Sequence, residues 1–361
     1  MNDAANDAGE AGLRDRILNA LRELKDPDLD KDVVSAGFVK ELLLKRYPLG
    51  HEVSLTLELT TPACPLRSHF ESEARRLVEG VAGVRSLKLT VTGRVQSGRG
   101  AKSLPGIAQV IAVGAGKGGV GKSTVALNLA LSLLREGARV GFLDADVQGP
   151  SAAIQLGLTA MPAVKQGRIQ PVTAYGMPCM SFAFFAPVGE ATLLRGPQSG
   201  KAVEQMLRDV EWPELDYLVV DLPPGTGDVH LALYHAVDVA GAVVVSTPQD
   251  LSLADASKGI AMFRKMKIPV LGLVENMSGF VCPHCRGETD IFGSGGAEKE
   301  AERLGVPFLG RVPLDVTLVR AGDNGKPVVA SQPEHEVAKI FLEMSRRVAH
   351  RASVARAQES A

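Results

Sequence analysis

The chain lacks any excess of charge. Its 40 Lys and Arg residues stand against 41 Asp and Glu, a formal net charge of −1 over 361 residues. That balance gives no general electrostatic footing for nucleic acid or a membrane surface. No apolar run approaches the roughly 18 residues that span a bilayer. The opening MNDAANDAGEAG is acidic and has no apolar core, which speaks against a secretory signal. Cysteine is scarce, four residues with one Cys-x-x-Cys pair. So few thiols argue against a disulfide framework and for a reducing, cytoplasmic setting with metal or redox use. There is no internal repeat, and no Asn-Lys-x-Asp of the kind that reads guanine.

What is present suits a soluble globular protein with one large and one smaller domain: 45% apolar residues and 22% charged. The dominant stretch is Val110 to Thr124, VIAVGAGKGGVGKST. It opens as a β-branched apolar strand, turns into glycine and continues as a run with helical spacing. Strand, glycine loop and helix make Gly116-x-x-x-x-Gly121-Lys122-Ser123 a phosphate-binding loop. Glycine lets backbone N–H groups close around a polyphosphate, and the helix start adds unpaired donors and a positive dipole end. Gly116, Lys117, Gly118, Gly119, Val120, Gly121, Lys122, Ser123 and Thr124 are therefore the expected nucleotide-binding residues. Lys122 would meet the β- and γ-phosphates, and the Ser123 hydroxyl would ligate Mg²⁺.

Around this loop the chain divides in order. Residues 1–12 read as a disordered lead. Residues 13–93 read as a small α+β domain, with Leu13, Ile17, Leu21 and Leu24 on one helical face and alternation over Val53–Leu59 and Val84–Val91. Cys64 lies in TTPACP beside an expected helix start, where a thiolate is favoured, or else is a packed core cysteine. Residues 94–106 are Gly-, Ser- and Arg-rich and read as a linker, 107–350 as the nucleotide-binding domain and 351–361 as a disordered tail.

Within the large domain, short apolar strands alternate with helices, which predicts a mainly parallel sheet covered on both faces. The strand Arg139–Asp146 ends in two carboxylates, Asp144 and Asp146, and ligands in such sheets gather at the carboxyl ends of strands. A second strand, Leu215–Asp221, ends in a carboxylate suited to Mg²⁺ through water, followed by the Pro223-Pro224-Gly225 turn, whose glycine could bring an N–H near the γ-phosphate. Cys179 sits alone in an apolar run and reads as core. Leu194-Arg195-Gly196-Pro197 introduces a helix to about Arg208. Cys282-Pro283-His284-Cys285 supplies two thiols where a tetrahedral zinc or an iron–sulfur cluster needs about four. Two chains across a two-fold axis would supply the set, and composition does not choose between zinc and a cluster.

Lys117, in Lys-Gly-Gly-Val-Gly-Lys-Ser, goes beyond the general loop. Here the sequence resembles the deviant P-loop ATPases: ParA, MinD, the nitrogenase iron protein and the Mrp/ApbC iron–sulfur cluster carriers. DADVQGPS, D-x-PPGTGD and ENMSGFVCPHC with the following IFGSGGAEKEAERLGVPFLGRVPLD are closest to the Mrp/ApbC group. The N-terminal domain is similar to the SufT-like assembly factors, through Asp26-Pro27-Asp28 and TTPACP.

The resemblance implies an ATP-hydrolysing P-loop NTPase that dimerises around nucleotide, with Lys117 reaching the partner's phosphates. It implies Asp144 for water positioning with Asp146 in support, Asp221 for catalysis with Lys122, and Asn276 on adenine unless Asn276 only forms a turn. It further implies a [4Fe-4S] cluster on Cys282 and Cys285 at the homodimer interface, received from a donor and passed to apoproteins. His284 reads as a surface residue. Two rivals are a ParA/MinD-like positioning ATPase and a zinc-stabilised interaction module that uses nucleotide as a switch. The first needs a basic DNA-binding face or a membrane helix, and the final SVARAQESA lacks the large apolar residues of such an anchor. Neither nucleic acid nor membrane is expected as a partner.

Overall fold

The computed structural model describes residues 2–27, 29–98, 102–185 and 196–359. The chain forms two compact units, Met1–Val95 with Ala357–Ala361, and Gln96–Arg356.

In the first unit, helix α1 (Asn2–Leu21) precedes strands β1 (Val39–Tyr47) and β2 (Gly50–Leu59), helix α2 (Arg67–Glu79) and strand β3 (Val84–Gly93). The sheet order is β1-β2-β3, antiparallel then parallel. Alternation along β2 sends Val53, Leu55, Leu57 and Leu59 to one face, into one core with Leu13, Ile17 and Leu21 of α1 and Phe70, Ala74 and Val78 of α2. Cys64 belongs to this core, three positions before α2 begins, so the packed alternative holds. Asp28 lies outside the described residues. The lead expected to be disordered is helical instead: α1 starts at Asn2.

The second unit is built on a nine-stranded sheet. Its elements are β4 (Ile107–Gly114), α3 (Lys122–Arg135), β5 (Val140–Asp144), α4 (Ala152–Leu156), β6 (Val172–Ala174), β7 (Met177–Ser181), α5 (Gly196–Arg208) and β8 (Leu215–Asp221). There follow α6 (Asp228–Ala236), β9 (Val239–Ser246), α7 (Asp250–Lys265), β10 (Val270–Val281), β11 (Glu288–Thr289), α8 (Gly296–Leu304), β12 (Phe308–Leu314) and α9 (Val316–Asp323). Helix α10 (Glu336–Glu359) follows, so the expected disordered tail is helical through Glu359.

The strand order is β6-β7-β5-β8-β4-β9-β10-β11, with β12 also beside β10. All pairings are parallel except β6 with β7 and β10 with β11. Every residue of β5, β8 and β9 is buried, which is what helices on both faces of a parallel sheet produce. The mainly parallel, covered sheet read from sequence is the fold observed. Cys179, on β7, is fully buried, and burial pushes its thiol up to about 12. Leu194 and Arg195 lie outside the described residues.

Candidate nucleotide site and thiol hairpin

The loop between β4 and α3 holds its shape through two glycine requirements. Gly119 and Gly121 adopt φ of +80° and +78°, a region glycine enters without penalty. At Gly116 the requirement is space: a Cβ there would collide with the backbone carbonyl of Asp255 on α7. Lys117 is half-buried, Gly118 and Gly119 are exposed, and Val120 is buried.

The carboxyl ends of β5 and β8 adjoin in register, with Asp221 opposite Asp144. Lys122, 7% exposed, places its ammonium 2.6 Å from Asp221 Oδ1, 3.1 Å from Ser123 Oγ and 4.0 Å from Asp146 Oδ2. Asp221 is fully buried, and its Oδ2 has no hydrogen-bond partner among the described residues. A buried carboxylate oxygen left open beside a hydroxyl and a second carboxylate is a donor set of the hard oxygens that Mg²⁺ prefers. Ser123, Asp221 and Asp146 therefore fit that ion. Burial pushes Asp221 up, and the Lys122 ammonium opposes it.

Asp144 is differently employed. Its Oδ1 accepts from the Asp146 N–H at 3.2 Å, and its Oδ2 from Ser151 N, Ala152 N and Ser181 Oγ at 3.0, 3.0 and 3.1 Å. Burial, and then the charge of Asp221, push it up to about 7. In this conformation Asp144 closes the 145–152 loop, and Asp146, 8% exposed, is the carboxylate nearer the loop lysine. The turn after β8 is also engaged: Gly225 donates its N–H to Ala115 O at 2.9 Å, so here it meets the loop's backbone.

Asn276 lies inside β10, which resumes beyond an irregular stretch where Met277 and Gly279 take φ of +57° and +68°. Asn-Met-Ser-Gly reads locally as a turn, and pairing to β12 and β11 carries the strand through it. The Asn276 Nδ2 donates to Val120 O at 2.8 Å. A cleft of about 290 Å³ opens beside it, lined among others by Gly121, Thr124, Ser151, Met277 and Asp315.

Strand β10 ends at Val281, and Cys282-Pro283-His284-Cys285 forms the loop of its antiparallel hairpin with β11. The Cys282 N–H donates to Gly287 O and the Arg286 N–H to Cys282 O, both at 2.9 Å. The N–H groups of Cys285 and His284 aim at the Cys282 sulfur and hold its thiol below the usual range. Cys285 and His284 are exposed and Cys282 half-buried. Among the described residues no group of three or more His, Cys, Asp or Glu is placed to hold a metal, so the hairpin presents two thiols without further ligands.

Residues 106–349, well over half the chain, match the model of the NUBPL iron-transfer P-loop NTPases within the ParA group. The chain belongs to that family. Residues 14–89 match a second model, described as iron-sulfur cluster assembly protein. The iron-sulfur cluster carrier protein of Deinococcus radiodurans is 45% identical over 344 residues, 95% of this chain and 96% of the relative. That of Escherichia coli K12 is 38% identical, covering 97% and 95%. Among solved structures, the nucleotide-binding protein of Archaeoglobus fulgidus in complex with ADP is 38% identical, with a TM-score of 0.57 over 66% of this chain and 93% of that one. No helix among the described residues is long and apolar enough to cross a membrane.

One residue at the base of the hairpin escaped the sequence reading. Glu275, fully buried, accepts hydrogen bonds from Ser278 Oγ, Gly295 N and Ala297 N. A charged residue closing the apolar run Val270-Leu271-Gly272-Leu273-Val274 was the available signal.

Proposed function

We propose that the chain is an ATP-hydrolysing carrier that takes up an iron–sulfur cluster, a [4Fe-4S] centre, on Cys282 and Cys285 and delivers it to apoproteins. The supporting observation is one strand: β10 touches the phosphate loop through Asn276 and ends in the two-thiol hairpin. The cluster is the cargo. A hairpin with two thiolates leaves half of a four-thiolate set unfilled, and a second copy related by a two-fold axis completes it.

ATP would lie in the Gly116–Thr124 loop, its base in the cleft beside Asn276. Bound Mg²⁺ supplies charge neutralisation at the β- and γ-phosphates. Ser123 and Asp221 would hold that ion, with Asp146 beside them. Lys122, now on Asp221, turns its charge to the phosphates, and half-buried Lys117 reaches the partner's nucleotide. Asp144 can orient the attacking water only after giving up its bonds to 146–152, so that loop must move during turnover. On this reading the working unit is a homodimer in the cytoplasm.

Anaerobic reconstitution with iron and sulfide tests the reading. The expected product is a brown dimer holding about four irons per two chains, as one shared four-iron cluster requires, and colourless when both Cys282 and Cys285 are alanine. Zinc without a visible band would identify an interaction module, and a colourless monomer would reject the carrier.

A further inference from the structure

Both arms of the thiol hairpin return to one buried carboxylate. On the outgoing arm, Ser278 donates to Glu275 Oε1 at 2.6 Å, inside the irregular stretch that leads to Cys282. On the returning arm, Gly295 N donates to Oε1 at 2.8 Å and Ala297 N to Oε2 at 2.6 Å, at the start of α8. The Arg311 guanidinium on β12 stands 3.6 Å from Oε1 and also pairs with Glu298. The two arms are further joined by Ser278 to Ser294 at 3.1 Å and by Gly279 N to Gly293 O at 3.3 Å.

The neighbouring residue faces the nucleotide. Successive side chains of a strand point to opposite sides, so Glu275 and Asn276 form a rigid two-headed unit. One head grips the hairpin's base and the other donates to Val120 O in the phosphate loop. A Cβ on Gly121 would collide with Asn276 Nδ2, so loop and strand are also in close contact there. The hydrogen-bond path from Val120 to the thiol hairpin thus passes through two adjacent residues.

A fully buried carboxylate is costly unless every lone pair is used, and this one is used on three backbone or hydroxyl donors and a guanidinium. Packing alone would be served as well by an apolar residue. A charged acceptor adds directed bonds that hold both arms at a set angle to β10.

We propose that Glu275 is a positioning residue that transmits the state of the phosphate loop to the thiol hairpin, so that nucleotide alters the exposure of Cys282 and Cys285. This rests on the carrier reading above and specifies its regulation. When the loop closes on phosphates, Val120 shifts, Asn276 follows, and β10 carries Glu275 and both hairpin arms with it.

The test is the rate at which iodoacetamide labels Cys282 and Cys285 in the full-length apoprotein, read peptide by peptide with and without Mg–ATP. The expected wild-type ratio differs from one by at least about threefold, well above the scatter of such rates and equal to about 0.7 kcal/mol of coupling. Glu275→Gln keeps the shape and loses the charged acceptor. It should bring the ratio to one while ATP affinity, measured by titration, stays within about twofold, too small a change to explain the lost ratio. A merely structural role would speed labelling equally with and without ATP and leave the ratio intact, which would overturn the proposal. A wild-type ratio of one would overturn it too. Should Glu275→Gln not fold, Ser278→Ala takes its place: a reduced ratio supports the proposal and an unchanged one rejects it. Iron uptake in the same preparations reads the carrier function separately, so uptake without a nucleotide-dependent ratio sinks only the coupling.

Discussion

The Lys122 ammonium lies 2.6 Å from Asp221 Oδ1, joining the first residue of α3 to the last residue of β8 across 99 positions of sequence. Both groups are buried, and each is the other's nearest opposite charge. The cation that the phosphates need is thus paired here with the carboxylate that the metal needs.

Removing one partner of a buried pair costs about 3–5 kcal/mol, because the other is left uncompensated. Lys122→Ala should lower stability by about that much and abolish ATP hydrolysis. Adding Asp221→Asn should recover at least about half of the lost stability and none of the activity. Denaturant unfolding and phosphate release measure the two. A double variant no more stable than the single one would contradict the pairing.

Gly116 admits no side chain, since the obstacle is the Asp255 backbone. Overpacking against atoms that cannot rotate away costs about 1–3 kcal/mol or more. Gly116→Ala should lower the melting temperature and weaken nucleotide binding together. Gly12→Ala, inside α1 with only the flexible Arg16 side chain near at 3.8 Å, should cost nothing and leave binding unchanged. Thermal scans with and without ADP separate the two.

His230 is buried at the start of α6, and burial pushes it down to about 4. The unfolded chain then binds one more proton than the folded one between about pH 4 and 6.5. Its contribution, about 3 kcal/mol, is present above pH 6.5 and lost as pH falls through 4. Asp144, pushed up to about 7, has the opposite sign: its contribution is present below about pH 4 and lost as pH rises through 7. The two offset each other in the wild type. Asp221, also pushed up, shares the sign of Asp144, so His230→Gln should show stability that falls more steeply with pH between about 4 and 7 than that of the wild type. Urea midpoints across that range measure it.

Thiol reactivity should sort by environment. Cys282 is accessible and its thiol is held low, whereas Cys179 is sealed in β7 and pushed up to about 12. Alkylation of the folded apoprotein should modify Cys282 at least about a hundredfold faster than Cys179, which should react only after unfolding. Peptide mass mapping gives both rates.

Local chemistry was legible where it is carried by neighbours in sequence. The glycines of 116–121, Lys122 and Ser123 act within one loop, so their spacing already encodes a phosphate cradle. The strand ends at Asp144 and Asp221 were readable because apolar runs stop there. Partnerships were not: Asp144 reads as a free strand-end carboxylate until Ser151, Ala152 and Ser181 are brought to it. The same holds for Asn276, whose turn-like neighbours conceal a strand completed by pairing to β12.

The order of residues by itself determined the phosphate loop, the two strand-end carboxylates, the paired thiols and the alternation that makes a parallel covered sheet, since each depends on spacing along a few bonds. Tertiary structure alone decided that Lys122 rests on Asp221, that Cys64 is packed away, and that Glu275 gathers both arms of the hairpin. Those facts depend on which distant backbone donors and charges reach a buried group. Desolvation makes such encounters decisive, and linear sequence does not record them.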